Sequence, residues 1–205
     1  TRSQRVTGVQ TCALPIYVAE WATVIRFDQR NHGLSERGLA GVSLDSYEHD
    51  LMGVLDRLEI QRAHLFAAND AGKVALVFAV KHPDRVASLS LFRTNAGPAT
   101  SAPSPGWTSL VPLIRHDWHL FTNLMATALN GLDDGEQTSR IAQFIRESVT
   151  AAEFESAGSA LAAIDVQGVL PEVKVPVLVM HRMDTPFFRI DTARQLVSTI
   201  ADARL

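Results

Sequence analysis

Few residues in this 205-residue sequence have the type and setting of a catalytic group. Asn69 and Asp70 lie between small residues in the segment AANDAG (67–72), directly after a short apolar run. Asp184 follows a second apolar run, VPVLVMH (175–181). A carboxylate can act as an acid, a base or a nucleophile, whereas an amide has no hydroxyl or thiol proton for a base to remove. We therefore expect Asn69 to be no competent nucleophile.

Two histidines, His116 and His119, could share one helical face and hold a metal ion. No third ligand is suggested nearby, and a catalytic zinc ion needs three protein ligands, so we expect no metal site. The sequence contains no glycine-rich dinucleotide motif and no phosphate-binding loop of the Walker type. We therefore expect no cofactor.

The composition favours a single globular domain, with 46% hydrophobic residues, 20% charged residues and a formal net charge of −3. Lysine and arginine form no run, so we expect no nucleic-acid partner. The longest apolar runs, such as 74–80, are far below the ~18 residues of a membrane span, so we expect no membrane partner. The single cysteine, Cys12, is typical of a reducing compartment and predicts a cytoplasmic location.

Residues 1–16 (TRSQRVTGVQTCALPI) differ in character from the rest of the sequence, with no periodicity and no acidic residue. The apolar stretch 12–16 is shorter than the roughly 7–15 residues of a signal-peptide core and contains Pro15. The segment VTGVQTCALPI (6–16) resembles the conceptual translation of a sequencing-adapter oligonucleotide. We therefore interpret residues 1–16 as a non-native segment, in which case Cys12 says nothing about the compartment.

Short apolar, β-branched runs alternate with amphipathic stretches in the remainder. The pattern predicts strands over 22–27, 64–68, 86–92 and 175–181. It predicts helices over 44–58, 72–80, 110–129, 136–149, 151–164 and 191–201. Strands that alternate with helices form βαβ units and a parallel sheet, so the fold class is α/β.

The order of these elements divides the sequence into a core and an insertion. Residues 17–97 and 169–205 alternate strand and helix, and we interpret them as the first and second parts of one core. Residues 98–168 begin in a stretch rich in Pro, Ser, Ala and Gly and continue as consecutive helices. We interpret this middle part as a helical lid inserted between two strands.

Three segments resemble the α/β-hydrolase family. FDQRNHGLS (27–35) resembles its D-x-R-G-x-G-x-S turn, VALVFAVKHPDRV (74–86) its helix after the nucleophile elbow, and LPEVKVPVLVMH (170–181) its penultimate strand. AIDVQGVL (163–170) is most similar to the hydrolase-like domains associated with adenylate cyclases and LuxR-type regulators. The resemblance implies an incomplete α/β-hydrolase fold, with a mostly parallel sheet and a helical lid insertion.

The resemblance also assigns the candidate site residues. It places the nucleophile at Asn69, fourteen positions before the proline of the His-Pro pair, where asparagine tolerates the left-handed backbone of the elbow. Asp70 is the alternative nucleophile, of the kind that dehalogenase-like relatives use, or it supplies an oxyanion N–H or caps a helix. Asp184, one position short of the place of the family's acid, is either that acid or a turn residue before Pro186.

The resemblance implies hydrolysis of a small ester or acyl substrate by Ser-His-Asp chemistry. We predict that this chain is inactive, because Asn69 replaces the nucleophile and the family's catalytic histidine would lie beyond Leu205. The early strands of the family would likewise precede residue 22, so we expect a fragment. The alternative is a non-catalytic ligand-binding or regulatory sensor domain derived from a hydrolase. Either reading predicts a small-molecule ester or apolar ligand as partner and leaves the oligomeric state open.

Overall fold

The described part of the chain contains one parallel sheet. The computed structural model describes residues 17–39, 42–98, 105–130, 135–182 and 189–205. In these residues four strands pair in the order β1-β2-β3-β4: β1 (Ala63–Ala68), β2 (Val86–Phe92), β3 (Val177–Met180) and β4 (Ala203–Arg204). All three pairs are parallel, which confirms the predicted α/β class.

Most of the helices lie where they were predicted, but the helix at Pro105–Leu110 and a 3₁₀ helix were not predicted. They are α1 (Leu44–Arg57), α2 (Ala71–Lys81), α3 (Pro105–Leu110), α4 (Leu113–His116), α5 (Trp118–Asn130), α6 (Gly135–Ser148), α7 (Ala151–Ala163) and α8 (Ile190–Thr199), with a 3₁₀ helix at Gln167–Glu172. The single helix predicted over 110–129 is wrong. Pro112 precedes α4, and Asp117, whose backbone leaves the helical region at φ −152° and ψ 83°, ends it. The Asp117 carboxylate then accepts a hydrogen bond from the Leu120 N–H and starts α5.

The strand predicted over 22–27 is also wrong. These residues are exposed and form no strand, although Val24, Ile25 and Phe27 are of the β-branched and aromatic types that favour strands. A strand needs a neighbour to take its backbone hydrogen bonds, and among the described residues β1 pairs only with β2. Sequence pattern alone therefore does not make this segment a strand.

The core lies on one face of the sheet. Leu89 and Leu91 of β2 and Val179 of β3 are buried with Phe78 of α2 and Leu196 of α8. The alternate residues lie on the other face, because successive side chains of a strand point to opposite sides. There Phe66 is 54% exposed and Leu178 is 45% exposed. The described part of the fold thus covers only one face of the sheet.

A buried carboxylate joins the two helices that lead into and out of β1. Glu48 of α1 accepts hydrogen bonds from Lys81 Nζ at 2.5 Å and from His82 Nε2 at 2.8 Å. Burial raises the pKa of Glu48, but the hydrogen bonds from Lys81 and His82, with the charges of these residues, lower it by more. The net shift of the pKa is therefore downward. This contact fixes α1 against the end of α2, while Ser43 begins α1 with the reciprocal hydrogen bonds of a capping box.

The helical block, defined as α3 to α7, contains a cluster of packed aromatic rings. Phe121 of α5 is fully buried, and its ring centroid lies 5.4 Å from Trp118 and 5.3 Å from Phe154 of α7. Trp107 of α3 meets the same ring edge-on at 6.3 Å. Such pairs add to the free energy gained by burying the rings, so this cluster joins three helices of the block.

The first turn of α2 depends on a glycine. A Cβ added to Gly72 would lie 2.1 Å from Thr94 Oγ1 and 2.7 Å from Thr94 Cβ. We predict that Gly72→Ala lowers the free energy of unfolding by about 1–3 kcal/mol, because the helix and the loop after β2 must separate. Gly53→Ala in α1 is the matched control, since its Cβ meets nothing within 4 Å.

Urea denaturation measures both changes. The control should be stabilised by about 0.5–1 kcal/mol, because alanine favours a helix over glycine. Equal effects of the two substitutions would contradict the close approach of α2 to Thr94.

Candidate active site

The chain turns sharply between β1 and α2, and Asn69 occupies the turn. Its backbone is left-handed, with φ +54°. The Asn69 N–H donates to the Phe92 carbonyl at 2.9 Å, and its carbonyl accepts from the Gly72 N–H at 3.1 Å. This is the strand-turn-helix geometry that a nucleophile elbow requires. The side-chain atom Oδ1 of Asn69 is buried and has no hydrogen-bond partner among the described residues.

Asp70 has a different geometry. Its backbone is right-handed, with φ −69°, and it is the last residue before α2. Its side chain, 42% exposed, makes no capping hydrogen bond and lies 3.6 Å from Lys73 Nζ. The left-handed position of the turn is therefore Asn69, and Asp70 follows it with its N–H at the start of α2. No described residue accepts a hydrogen bond from that N–H.

Lys73, which the sequence analysis did not single out, is a buried cation beside the turn. It is 0% exposed, and its Nζ donates to the Leu161 carbonyl at 2.8 Å. Burial lowers the pKa of Lys73, and the neighbouring Asp70 raises it. Leu161 lies in the last turn of α7, where its carbonyl also accepts from the Ile164 N–H at 3.2 Å and where the negative end of the helix dipole favours a cation. Lys73 therefore joins the start of α2 to the end of the helical block.

The ends of β2 and β3 lie beside the turn, and we call this row of positions the carboxyl edge. The Arg93 N–H, directly after β2, donates to the Met180 carbonyl at 3.0 Å, and His181 follows β3. Thr94 is 1% exposed. Within the described part of the chain, neither Thr94 Oγ1 nor His181 Nε2, both buried, has a hydrogen-bond partner. Buried polar atoms of this kind are uncommon in folded proteins and often mark functional sites.

Arg93 is the second residue of the site with unusual backbone geometry. Its φ is +53°, in the left-handed region, and its guanidinium lies 4.4 Å from the centre of the Phe92 ring. Burial lowers the pKa of Arg93, and the nearby positive charge of Arg182 lowers it further. Arg182 itself donates to the Leu129 carbonyl of α5 at 3.0 Å. Two cations therefore lie at the carboxyl edge, and the sequence analysis identified neither as a site residue.

Asp184, the predicted acid, lies outside the described residues, and so its role stays a prediction. Among the residues that the structure describes, no group of three His, Cys, Asp or Glu side chains is arranged to hold a metal ion. None of the described helices is both long and apolar enough to cross a membrane.

The turn that carries the D-x-R-x-H-G-L-S pattern connects the core to the helical block. Gly33 has φ +55°, and a Cβ there would lie 2.2 Å from Asp28 Oδ2, which accepts a hydrogen bond from the Leu34 N–H at 3.0 Å. The Gly33 N–H donates to the Ser148 carbonyl at the end of α6 at 2.8 Å. A glycine is needed here for both the backbone conformation and the space.

Two arginines of the same turn each bind a carboxylate through two nitrogens, one on α1 and the other on α7. Arg30 binds Asp50 of α1 through two nitrogens, at 2.7 Å and 2.5 Å. Arg37 binds Glu153 of α7, again through two nitrogens. Arg37 also donates to the Ser148 carbonyl at 3.1 Å. Paired guanidinium-carboxylate contacts are directional as well as strong, so the turn fixes where α7 lies relative to α1.

The chain belongs to the alpha/beta hydrolase fold family, whose model matches residues 8–148. That range begins inside residues 1–16, and the non-native origin of those residues stays a prediction. A 2-hydroxy-6-oxo-6-phenylhexa-2,4-dienoate hydrolase from Comamonas testosteroni is 28% identical over 168 residues, or 75% of this chain. The chain spans only 57% of that relative's length.

Solved structures share the fold. An enol-lactonase from Burkholderia xenovorans superposes with a TM-score of 0.73 at 24% identity, covering 86% of this chain and 68% of its own. A hydrolase from Oleispira antarctica gives a TM-score of 0.79 at 15% identity, covering 93% of this chain and 74% of its own. These similarities show the fold.

The contact between Arg37 and Glu153 makes stability depend on pH. Hydrogen bonds from Arg37, and then from the backbone and side chain of Thr150, lower the pKa of Glu153 from 4.5 to about 2. The folded chain therefore keeps this carboxylate ionised at pH values where the unfolded chain protonates it. Its stabilising contribution is complete above about pH 4.5 and is lost as the pH falls toward 2.

We predict that Glu153→Gln lowers the free energy of unfolding at pH 7 and that the difference from the parent chain shrinks between pH 4.5 and pH 2. Urea denaturation across this range measures it. The same substitution in an Arg37→Leu background is the control and should show a smaller pH dependence. A difference that stays constant with pH would contradict the assignment.

Proposed function

We propose that this chain is a ligand-binding domain derived from a hydrolase, without acyl-enzyme chemistry. The observation that carries the proposal is the left-handed backbone of Asn69 between β1 and α2. The position from which a nucleophile would attack is formed, but an amide occupies it. An amide has no proton that a neighbouring base can remove to make a nucleophile at neutral pH. The turn can therefore contact a ligand without forming a covalent bond to it.

The backbone of Asp70 argues against the alternative nucleophile. A nucleophile at the elbow projects from the left-handed residue, and that residue is Asn69. Asp70 is right-handed and its carboxylate lies beside Lys73. Its role in the proposal is to supply a backbone N–H at the start of α2, where a helix favours negative charge or a carbonyl oxygen.

The relatives support a small acid or lactone as the ligand class. One is named as a hydrolase of a hydroxy-oxo-dienoate, and another, from Acinetobacter baylyi, is named 3-oxoadipate enol-lactonase 2, at 24% identity over 88% of this chain. The substrate class of these hydrolases comes to this chain only as a proposal. A regulatory role, of the kind that the resemblance to cyclase-associated and LuxR-associated domains implies, fits a domain that binds without reacting.

Turnover of p-nitrophenyl acetate and p-nitrophenyl butyrate by the purified chain tests the proposal. We predict no burst of p-nitrophenol and no labelling by a serine-directed phosphonate, because no activated hydroxyl lies at the turn. A burst that the phosphonate abolishes would overturn the proposal. Asp70→Asn tests the alternative nucleophile, since any turnover that this substitution removes would assign chemistry to Asp70.

Asn69→Ser and Asn69→Gly form the matched pair of variants. Asn69→Ser places a hydroxyl at the turn, and Asn69→Gly keeps the left-handed backbone without a side chain. Under the proposal both variants hydrolyse the two esters no faster than the parent chain. Rapid turnover by Asn69→Ser alone would show that the other groups of a hydrolase are intact, and would favour an enzyme over a binding domain.

A further inference from the structure

We propose that the carboxyl edge binds a hydroxyl group of the ligand between Thr94 and His181, beside the turn at Asn69. The inference deepens the proposed function and rests on it, because it names the chemical group that the binding site recognises. The ligand class is a small molecule whose alcohol group accepts a hydrogen bond from Thr94 and donates one to His181.

One backbone hydrogen bond brings Thr94 and His181 to neighbouring positions. The Arg93 N–H donates to the Met180 carbonyl at 3.0 Å. Thr94 follows Arg93 and His181 follows Met180, so the two residues leave adjacent strands at the same edge of the sheet. Neighbouring strands are about 4.8 Å apart, a distance that one small molecule can bridge. In open α/β sheets, ligands bind at these carboxyl ends of the strands.

Thr94 is buried against the first turn of α2. A Cβ added to Gly72 would lie 2.1 Å from Thr94 Oγ1, so the hydroxyl lies against the helix that begins at the turn. The Gly72 N–H in turn donates to the Asn69 carbonyl at 3.1 Å. Thr94 is 1% exposed, and no described residue partners its hydroxyl. A buried O–H therefore lies beside the turn with no described acceptor for its proton.

The tautomer of His181 makes its buried nitrogen an acceptor. Nδ1 lies 2.6 Å from the Arg182 carbonyl oxygen, and a carbonyl oxygen can only accept a hydrogen bond. The proton of the neutral ring is therefore on Nδ1, which leaves a lone pair on Nε2. Nε2 is buried and has no hydrogen-bond partner in the described part of the chain.

These two atoms favour a ligand group that both donates and accepts. His181 Nε2 needs a donor, and the Thr94 hydroxyl needs an acceptor for its proton. An ether oxygen supplies no proton, and an ammonium group supplies no lone pair, whereas an alcohol supplies both at one atom. Buried polar atoms without partners cost free energy, so a ligand that satisfies them binds more tightly than one that does not.

Two buried threonines test whether the Thr94 hydroxyl is unpaired in the free chain. Thr122 is 0% exposed, and its Oγ1 donates to the His119 carbonyl at 2.9 Å and accepts from Arg146 at 2.6 Å. Thr94→Val should leave the midpoint of thermal unfolding unchanged or raise it, whereas Thr122→Val should lower it, because only the second substitution breaks hydrogen bonds. A lower midpoint for Thr94→Val would show that the protein already binds this hydroxyl and would overturn the proposal.

Lactones that differ at one substituent test the ligand. α-Hydroxy-γ-butyrolactone carries an alcohol, and α-methoxy-γ-butyrolactone carries an ether at the same carbon. Saturation-transfer NMR on the full chain at pH 7 measures both dissociation constants. We expect the alcohol to bind at least about fivefold more tightly, as for hydrogen bonds to buried groups. Unsubstituted γ-butyrolactone is the control for size and should bind no more tightly than the ether.

Substitutions at the two residues assign the preference for the alcohol. Thr94→Val removes the hydroxyl that donates to the ligand and should abolish the preference. His181→Asn keeps a donor for the Arg182 carbonyl but has no atom at the position of Nε2, so the preference should be lost. His181→Gln can place an amide oxygen near that position and should keep part of the preference. Thr122→Val should leave it unchanged.

The outcomes separate the two proposals. If none of the lactones binds the parent chain, the proposed binding function fails, and this inference fails with it. If the alcohol and the ether bind equally well, only the hydroxyl site is overturned, since a hydroxyl that merely replaces bound water gains nothing. If Thr94→Val and His181→Asn weaken all the lactones alike, both residues are structural and the inference is wrong. Loss of the preference alone, with binding of the ether unchanged, supports it.

Discussion

The sharp turn at Asn69 is the constraint on which the rest of the site depends. A strand can reverse into a helix within two residues only if one residue is left-handed and the helix packs closely on the neighbouring strand end. Asn69 meets the first condition at φ +54°, and Gly72, against Thr94, meets the second. The order β1-β2-β3 then brings the residues after β2 and β3 to the same edge.

The helical block is fixed to this turn by polar contacts and by a small apolar cluster of Tyr47, Val74 and Leu161. Lys73 reaches the end of α7 from one side, and Arg37 binds the start of α7 at Glu153 from the other. In both contacts a cation binds an acceptor near one end of α7: the Leu161 carbonyl in the last turn and the Glu153 carboxylate in the first. The position of α7 is therefore coupled to the start of α2, directly after the turn at Asn69.

Local sequence signals predicted the elements whose causes are local. Ser43 begins α1 with its own side chain, and the apolar run at 86–92 forms β2 at the predicted residues. The segment 22–27 has the same β-branched pattern but forms no strand, because pairing depends on a partner that the pattern does not contain. The breaks at Pro112 and Asp117 were readable in principle, since proline and a capping aspartate both mark helix starts.

The site was predictable only in part, because some of its residues are distinguished by backbone geometry or burial, which depend on the fold. Asn69 could be located because the spacing to the His-Pro pair and the small neighbours are sequence properties. Arg93 and Lys73 could not be located from the sequence, because an arginine after a strand and a lysine in an apolar helix are both common. Only the structure shows the left-handed backbone of Arg93 and the complete burial of Lys73. Both residues place a positive charge beside the turn at Asn69. A buried cation needs an acceptor, and Lys73 has one in the Leu161 carbonyl.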